Sequence, residues 1–401
     1  MKKWLPALLF LLTTSVPCLN AAPQIEAPQA KPNPFRAYVR QGIEKAFNLE
    51  TAAAMAFFQK AVELDRENPA GHAFLALAHM FFYEMSFDLN QRAKDQEEML
   101  QDVEAALAKG QKRIGLNPRD GQAYFAMAMA KIIKVRLALN QKRHFTIAQD
   151  ASDAWEYAAK ARELDPQNFD VYFPIGLLHY HLDHLPGFTR FLSSLLITSG
   201  DRQLGLQELT VAAQKGDLLK ELAQAELSSI YTNFEGQPSK SLAITMEFKE
   251  KFPQNYNFAF SLANNLSELL RFGEAFAIAR EIEKSILSGK PPFVPQLQPR
   301  YEHLMGRILF NQGEYAKADD CFQKALRDTS VYNARIRASA LVRLGMIRDA
   351  RRERKQAEEY YTRALEVEGG EGFAQVEARK YLQTPFTPRP KASGPATASQ
   401  P

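Results

Sequence analysis

Residues 302–326 read EHLMGRILFNQGEYAKADDCFQKAL, and residues 341–365 read LVRLGMIRDARRERKQAEEYYTRAL. The two stretches share a spacing of small and aromatic residues: Gly306, Ala318, Phe322 and Ala325 recur at identical intervals as Gly345, Ala357, Tyr361 and Ala364. Gly306 and Ala318 are small, and they let the two helices of a hairpin approach closely. We call the first of these helices helix A and the second helix B. One such hairpin cannot bury its apolar faces alone, so the pattern predicts an array of repeats.

The same spacing recurs upstream of this pair. The interval from Gly42 to Ala54 equals that from Gly306 to Ala318, and so does the interval from Ala263 to Ala275. Three intervening hairpins have longer intervals, from Ala76 to Ala106, from Ala128 to Ala154 and from Gly176 to Gly205. We therefore expect about eight hairpins, three of which carry roughly 14 to 18 extra residues between helix A and helix B.

These residues resemble the tetratricopeptide-repeat (TPR) superfamily across roughly residues 35–382. The middle stretch, from Leu185 to Phe188 and from Gly200 to Leu209, is similar to a module of bacterial secreted TPR proteins of unassigned function. The resemblance implies an all-α fold, an α-solenoid of TPR-like helix–turn–helix repeats. It also implies binding of protein or peptide partners, and it implies no reaction.

The expected organisation follows the repeats and the composition shifts between them. It comprises a signal peptide (1–21), a proline-rich linker (22–34), a TPR-like repeat (35–70), three expanded repeats (71–215), further TPR-like repeats (216–287), a proline-bearing break (288–299), two clear repeats (300–371), a capping helix (372–383) and a disordered tail (384–401). Whether the break separates two lobes or interrupts one array stays open at this point.

The N-terminus has the pattern of a secretory signal. Lys2 and Lys3 precede an apolar run from Trp4 to Val16, and Ala21 offers a small residue for cleavage. We expect a secreted or periplasmic protein. The alternative is a lipoprotein anchored through Cys18, although Val16 and Pro17 make a poor lipidation motif.

Charge and motifs narrow the function classes. The formal net charge of +4 falls to +2 when the two lysines of the signal are removed, so nucleic-acid binding has no electrostatic support from the whole chain. Cleavage of the signal peptide also removes Cys18. Cys321 is then the one cysteine left, so it cannot form an internal disulfide. The sequence contains no G-x-S-x-G, Walker or H-E-x-x-H motif and no Cys/His catalytic pairing. We expect neither catalysis nor a cofactor.

The first partner-binding hypothesis concerns the groove that the A helices line. In the C-terminal repeats, His303, Arg307, Phe310 and Arg343 occupy helix A positions. We expect these four side chains to contact a protein or peptide partner by shape and side-chain complementarity.

A second candidate patch lies in the expanded repeats, which are rich in aromatic residues. Its members are Phe81, Phe82, Tyr83, Phe145, Phe188 and Phe191. Burial of one phenylalanine stabilises by about 1.5–3 kcal/mol, so such a cluster does not stay fully exposed. It forms either a subsidiary core or a binding patch. In the second case the chain is an envelope-associated protein whose central module contacts a membrane protein, a lipid surface or a metal ion.

Three histidines fall within a short run, at His179, His181 and His184. On a regular helix, His181 and His184 share a face, whereas His179 and His181 point apart. Because helical geometry does not gather all three, we favour packing histidines over a zinc site.

Overall fold

The computed structural model describes residues 33–141, 143–182, 200–327, 333–367 and 372–388. Nothing is described of the side chains at 144 and 145. The predicted signal peptide, most of the predicted linker and residues 389–401 of the predicted tail lie outside these ranges.

Within the described ranges the chain forms seventeen α-helices and no β-strand. They are α1 (Pro34–Phe47), α2 (Thr51–Leu64), α3 (Pro69–Met85), α4 (Leu89–Leu116), α5 (Gly121–Asn140), α6 (His144–Leu164), α7 (Tyr172–Leu182), α8 (Arg202–Lys215), α9 (Lys220–Asn233), α10 (Pro238–Lys251), α11 (Tyr256–Glu268), α12 (Phe272–Ser288), α13 (Gln298–Asn311), α14 (Tyr315–Arg327), α15 (Ala334–Ala350), α16 (Arg354–Glu366) and α17 (Phe373–Gln383).

The helices pack in sequence as eight hairpins, from α1 with α2 to α15 with α16, and α17 packs on the last of them. Several A helices also contact the A helix of the next hairpin. Helix α1 contacts α3, α3 contacts α5, and α13 contacts α15. Contacts between successive B helices are much sparser among the described residues. The A helices therefore line the inner surface of a solenoid, as the sequence predicted.

In the C-terminal repeats, a glycine of helix A meets an aromatic ring of helix B in the same hairpin. A Cβ on Gly306 would lie 2.7 Å from the ring of Phe322, and one on Gly345 would lie 2.5 Å from the ring of Tyr361. Both rings are fully buried. Since no larger residue fits between helix A and this ring, the glycine sets the distance between the two helices.

The hairpin of α3 and α4, whose Ala76-to-Ala106 interval is expanded, differs in form from the expected inserted segment. Only residues 86–88 connect α3 to α4, and α4 runs for 28 residues, about 42 Å at 1.5 Å per residue. The Asp88 side chain accepts hydrogen bonds from the Asn90 and Gln91 backbone N–H groups and so caps α4 directly after α3. No proline interrupts residues 89–116, so the extra residues lengthen the helix.

Hairpins distant in sequence also touch. The Asn255 side chain donates to the backbone oxygen of Phe47 at 2.7 Å, and the rings of Phe234 and Phe373 lie 5.7 Å apart. Across the proline-bearing break, α13 packs against both α11 and α12. From Pro34 onward the chain forms one compact unit.

Candidate functional site

The four predicted groove residues are engaged within the chain. His303 and Phe310 are buried on α13, and His303 Nε2 lies 2.9 Å from Ser339 Oγ on α15. Arg307, which keeps only 11% of its side chain exposed, donates from Nη2 to Glu268 Oε1 at 2.9 Å. A partner would have to displace these contacts in order to reach the side chains.

Helix α17 covers the fourth residue of this set. Arg343 Nη2 lies 3.4 Å from Glu377 Oε2, and its guanidinium lies 5.6 Å from the Phe310 ring centre. Phe386, which follows α17, also lies 5.6 Å from Phe310. Because a buried cation must be paired, Glu377 explains how Arg343 is accommodated without a partner. Partner binding by His303, Arg307, Phe310 and Arg343 stays a prediction.

The aromatic residues of α3 pack inward. Phe81 stacks on Phe47 with ring centres 6.3 Å apart, and Phe82 is buried. The Tyr83 ring lies 3.9 Å from the Arg92 guanidinium of α4. Phe81, Phe82 and Tyr83 therefore pack with the main core of the N-terminal helices. Phe188, Phe191 and the Phe145 side chain lie outside the described residues.

The two described histidines of the cluster contact different carboxylates. His179 Nδ1 lies 2.5 Å from Glu208 Oε2 on α8, whereas His181 Nε2 lies 3.1 Å from Glu226 Oε1 on α9. The two imidazoles thus contact carboxylates of two different helices, α8 and α9. His184 lies outside the described residues.

The inner surface carries a set of paired charges that we call the inner charge cluster: Glu84, Arg136, His181, Glu226 and Arg335. Arg136 donates two hydrogen bonds of 2.7 Å to Glu84, and Arg335 donates a third of 3.1 Å. Burial raises the pKa of Glu84, but the two guanidinium groups outweigh it and hold that pKa below its usual range. Arg136 and Arg335 keep 43% and 57% of their side chains exposed, so solvent and ligands can reach them.

Arg300 on α13 is a functional candidate that sequence reasoning missed. Its Nη1 donates to Asn257 Oδ1 at 2.6 Å, and its guanidinium lies 4.5 Å from the Phe260 ring centre. Among the described residues, no carboxylate lies within 4.0 Å of it. Burial and the neighbouring Arg335 lower the pKa of Arg300. The sequence offered one indication of this residue: Arg300 lies two helical turns before Arg307, on the same face of the helix.

Comparison with known families identifies the repeats. The family model described as tetratricopeptide repeat matches residues 298–367. The chain therefore contains tetratricopeptide repeats at residues 298–367. As a TPR solenoid, it has the fold of protein-interaction scaffolds, which use extended concave surfaces. None of the helices in the described ranges combines the length and apolar character that crossing a bilayer requires.

Solved structures resemble this TPR chain only distantly. A thermophilic TPR protein from Thermus thermophilus is 18% identical, with a TM-score of 0.35, and the match covers 58% of this chain and 98% of that one. The human IFIT1 dimer with m7Gppp-AAAA is 12% identical, with a TM-score of 0.41 and coverage of 87% and 84%. Yeast Tom70 is 11% identical, with a TM-score of 0.36 and coverage of 87% and 88%. Such low similarity assigns no function, and no curated protein sequence matches the chain.

Proposed function

We propose that this chain is an exported, non-catalytic TPR scaffold that binds a protein or peptide partner of the cell envelope on its inner surface. We further propose that the partner presents a carboxylate group there, and that nucleic acid is not a ligand. The observation that carries the proposal is Arg300, an inner-surface cation whose described polar partner is an amide.

Arg300 is prepared to receive an anion. The Asn257 amide and the faces of Tyr256 and Phe260 hold its guanidinium in place, so little side-chain freedom remains to be lost on binding. A guanidinium forms bidentate hydrogen bonds with a carboxylate. Arg335 adds positive charge to the same region, since it contributes to lowering the pKa of Arg300. A carboxylate side chain or a chain terminus of a partner fits this chemistry.

Site-specific photo-cross-linking in the native cells tests the proposal. Ser229 is exposed on α9, three positions after Glu226 and on the same helix face as this member of the inner charge cluster. Leu287, which is 79% exposed on α12, belongs to a B helix and serves as the control position. We expect a discrete cross-linked product from a photoreactive residue at 229 and none from one at 287. The reverse result contradicts an inner binding surface.

Charge dependence then tests the partner's chemistry. Loss of a charge-assisted hydrogen bond costs about 1.5–3 kcal/mol, so Arg300→Gln should lower the cross-linked fraction about tenfold or more. Arg280→Gln is the matched control, because Arg280 is an exposed arginine on the B helix α12. Equal cross-linking in the two variants would show that no partner carboxylate binds Arg300.

Export is tested separately by cell fractionation. The signal-like residues 1–21 support a secreted or periplasmic location, and Cys18 offers the alternative lipid anchor. We expect the mature protein in the soluble periplasmic or secreted fraction, with the same distribution for Cys18→Ser. A shift from the membrane fraction to the soluble fraction in that variant would establish the lipoprotein instead.

A further inference from the structure

A cleft of about 440 Å³ lies between α2, α3 and α4. Thr51, Met55 and Gln59 of α2 form one wall. The other walls carry ionisable side chains of α3 and α4, namely His79, Lys94, Asp95, Glu98 and Asp102. None of these residues belongs to the inner charge cluster, and the partner site proposed above does not use them.

His79 is the unusual member of this set. The residue is only 6% exposed, and its Nδ1 is buried without a hydrogen-bond partner among the described residues. An unsatisfied buried polar atom destabilises the folded chain, and a ligand bound in the cleft would satisfy it. The carboxylate oxygen Oε2 of Glu98 lies 3.5 Å from this nitrogen, and Asp95 is buried beside them.

We propose that His79, Asp95 and Glu98 bind a divalent metal ion of the Zn²⁺ class in this cleft. One ligand atom from each residue lies within 4.8 Å of the other two. Zinc binds nitrogen and oxygen ligands at about 2.0–2.2 Å, which places neighbouring ligands of a tetrahedral ion about 3.4 Å apart. The 3.5 Å between His79 Nδ1 and Glu98 Oε2 matches this edge. Asp95 completes the proposed set with a carboxylate oxygen within 4.8 Å of the other two ligand atoms.

Outer contacts orient the ligands as they do in established metal sites. Gln91 Nε2 donates to Asp95 Oδ1 at 2.9 Å. The second ring nitrogen of His79 faces Asp102 Oδ2 at 3.7 Å, and His72 Nδ1 lies 2.8 Å from Asp102 Oδ1. A carboxylate behind a ligating imidazole fixes the ring orientation and raises its basicity. The three protein ligands leave a position toward the cleft for water or another ligand.

The identity of the ion follows from the donor types. Imidazole suits Zn²⁺ and other transition metals, whereas an all-oxygen set suits Mg²⁺ or Ca²⁺. One nitrogen with two carboxylates therefore favours Zn²⁺, with Mn²⁺ as a weaker competitor. The cation would also relieve the repulsion between the buried Asp95 and its carboxylate neighbour Glu98.

Calorimetric titration of the untagged, EDTA-treated mature chain with ZnCl₂ tests the site. We expect one equivalent of Zn²⁺ to bind and to raise the Tm, with Mn²⁺ and Mg²⁺ binding more weakly. Glu98→Gln should weaken Zn²⁺ binding about tenfold or more, since even outer-shell changes cost about that much in metal sites. Glu104→Gln is the matched control, because Glu104 is an exposed carboxylate on the same helix and pairs with Lys134.

Two results would overturn the proposal. One is the absence of saturable Zn²⁺ binding by the folded chain at Zn²⁺ concentrations up to about 100 μM. A Kd of about 100 μM corresponds to a binding free energy of about 5.5 kcal/mol in magnitude. The other is equal affinity in Glu98→Gln and Glu104→Gln, which would place any bound ion elsewhere. Circular dichroism verifies that both variants remain folded, and Glu98 is exposed enough for the substitution to be tolerated.

Discussion

Arg335 Nη2 lies 3.1 Å from Glu84 Oε1, although 251 residues separate them in the sequence. Glu84 belongs to the second hairpin and Arg335 to the eighth. The same carboxylate accepts two hydrogen bonds from Arg136 of the third hairpin. One side chain thus connects three hairpins across the inner surface, and it links the start of the array to its end.

Neutralising this carboxylate should destabilise the packing of these three hairpins. Glu84→Gln removes the charge that pairs with Arg136 and Arg335, and Glu84 keeps only 12% of its side chain exposed. Because hydrogen bonds to charged groups contribute about 1.5–3 kcal/mol, we expect the free energy of unfolding to fall by about 1–3 kcal/mol. Urea denaturation followed by circular dichroism measures this loss.

An exposed ion pair provides the control for this variant. Lys134 contacts Glu104 at 3.3 Å, but Glu104 keeps 65% of its side chain exposed. Exposed pairs contribute about 0.2–1 kcal/mol, so Glu104→Gln should change stability far less. Equal losses in the two variants would mean that Glu84 does not hold the hairpins together.

A single methyl group should disturb the contact that defines the C-terminal repeats. In Gly306→Ala the new Cβ would lie 2.7 Å from the fully buried Phe322 ring. Overpacking of a buried site costs about 1–3 kcal/mol, and we expect a corresponding fall in the free energy of unfolding. Thermal and urea denaturation both report it.

Gly273 gives the opposite expectation for the same chemical change. It lies in the first turn of α12, and a Cβ there meets nothing within 4 Å. Alanine is the better helix former by about 0.5–1 kcal/mol, so Gly273→Ala should be neutral or stabilising. If Gly306→Ala proved equally harmless, the glycine would not set the helix spacing.

The repeats could be predicted because their signal is local. Gly306 and Phe322 touch within one hairpin, and such a contact fixes a short and regular sequence spacing. The form of the α3–α4 hairpin could not be predicted from that spacing. A long interval from Ala76 to Ala106 is compatible with an inserted segment and with longer helices. Longer helices form because Asp88 caps α4 close to the end of α3.

The candidate sites were harder to predict because they are non-local. Arg300 is distinguished by having no carboxylate nearby in the described structure, which depends on helices far apart in sequence. His79 meets Asp95 and Glu98 only because α3 and α4 are long and packed side by side. The histidine-rich run attracted attention instead, yet His179 turned out to pair with a carboxylate of α8.

The thiol of Cys321 should react slowly in the folded chain. Burial raises its pKa to about 11, against about 8.5 for a free cysteine, and the thiolate is the reactive form. In Cys18→Ser, where Cys321 is the sole cysteine, we expect alkylation at about pH 8 to be about 100-fold slower than for glutathione. Mass spectrometry follows the reaction. Unfolding in urea should restore the normal rate, and a rate that did not change on unfolding would contradict the shielding.

His303 should make the fold sensitive to mild acid. Burial, with the guanidinium groups of Arg307, Arg343 and Arg300 nearby, holds the His303 pKa well below its usual range. The unfolded chain binds this proton near pH 6.5, so the stability contribution is present above that pH and is lost as pH falls below it. The Tm decrease between about pH 7.5 and pH 5.5 should be smaller in His303→Gln than in the natural chain. Ser339→Ala removes the hydrogen bond but keeps the imidazole, so it should retain the full decrease; equal decreases in all three proteins would show that His303 is not the acid-sensitive group.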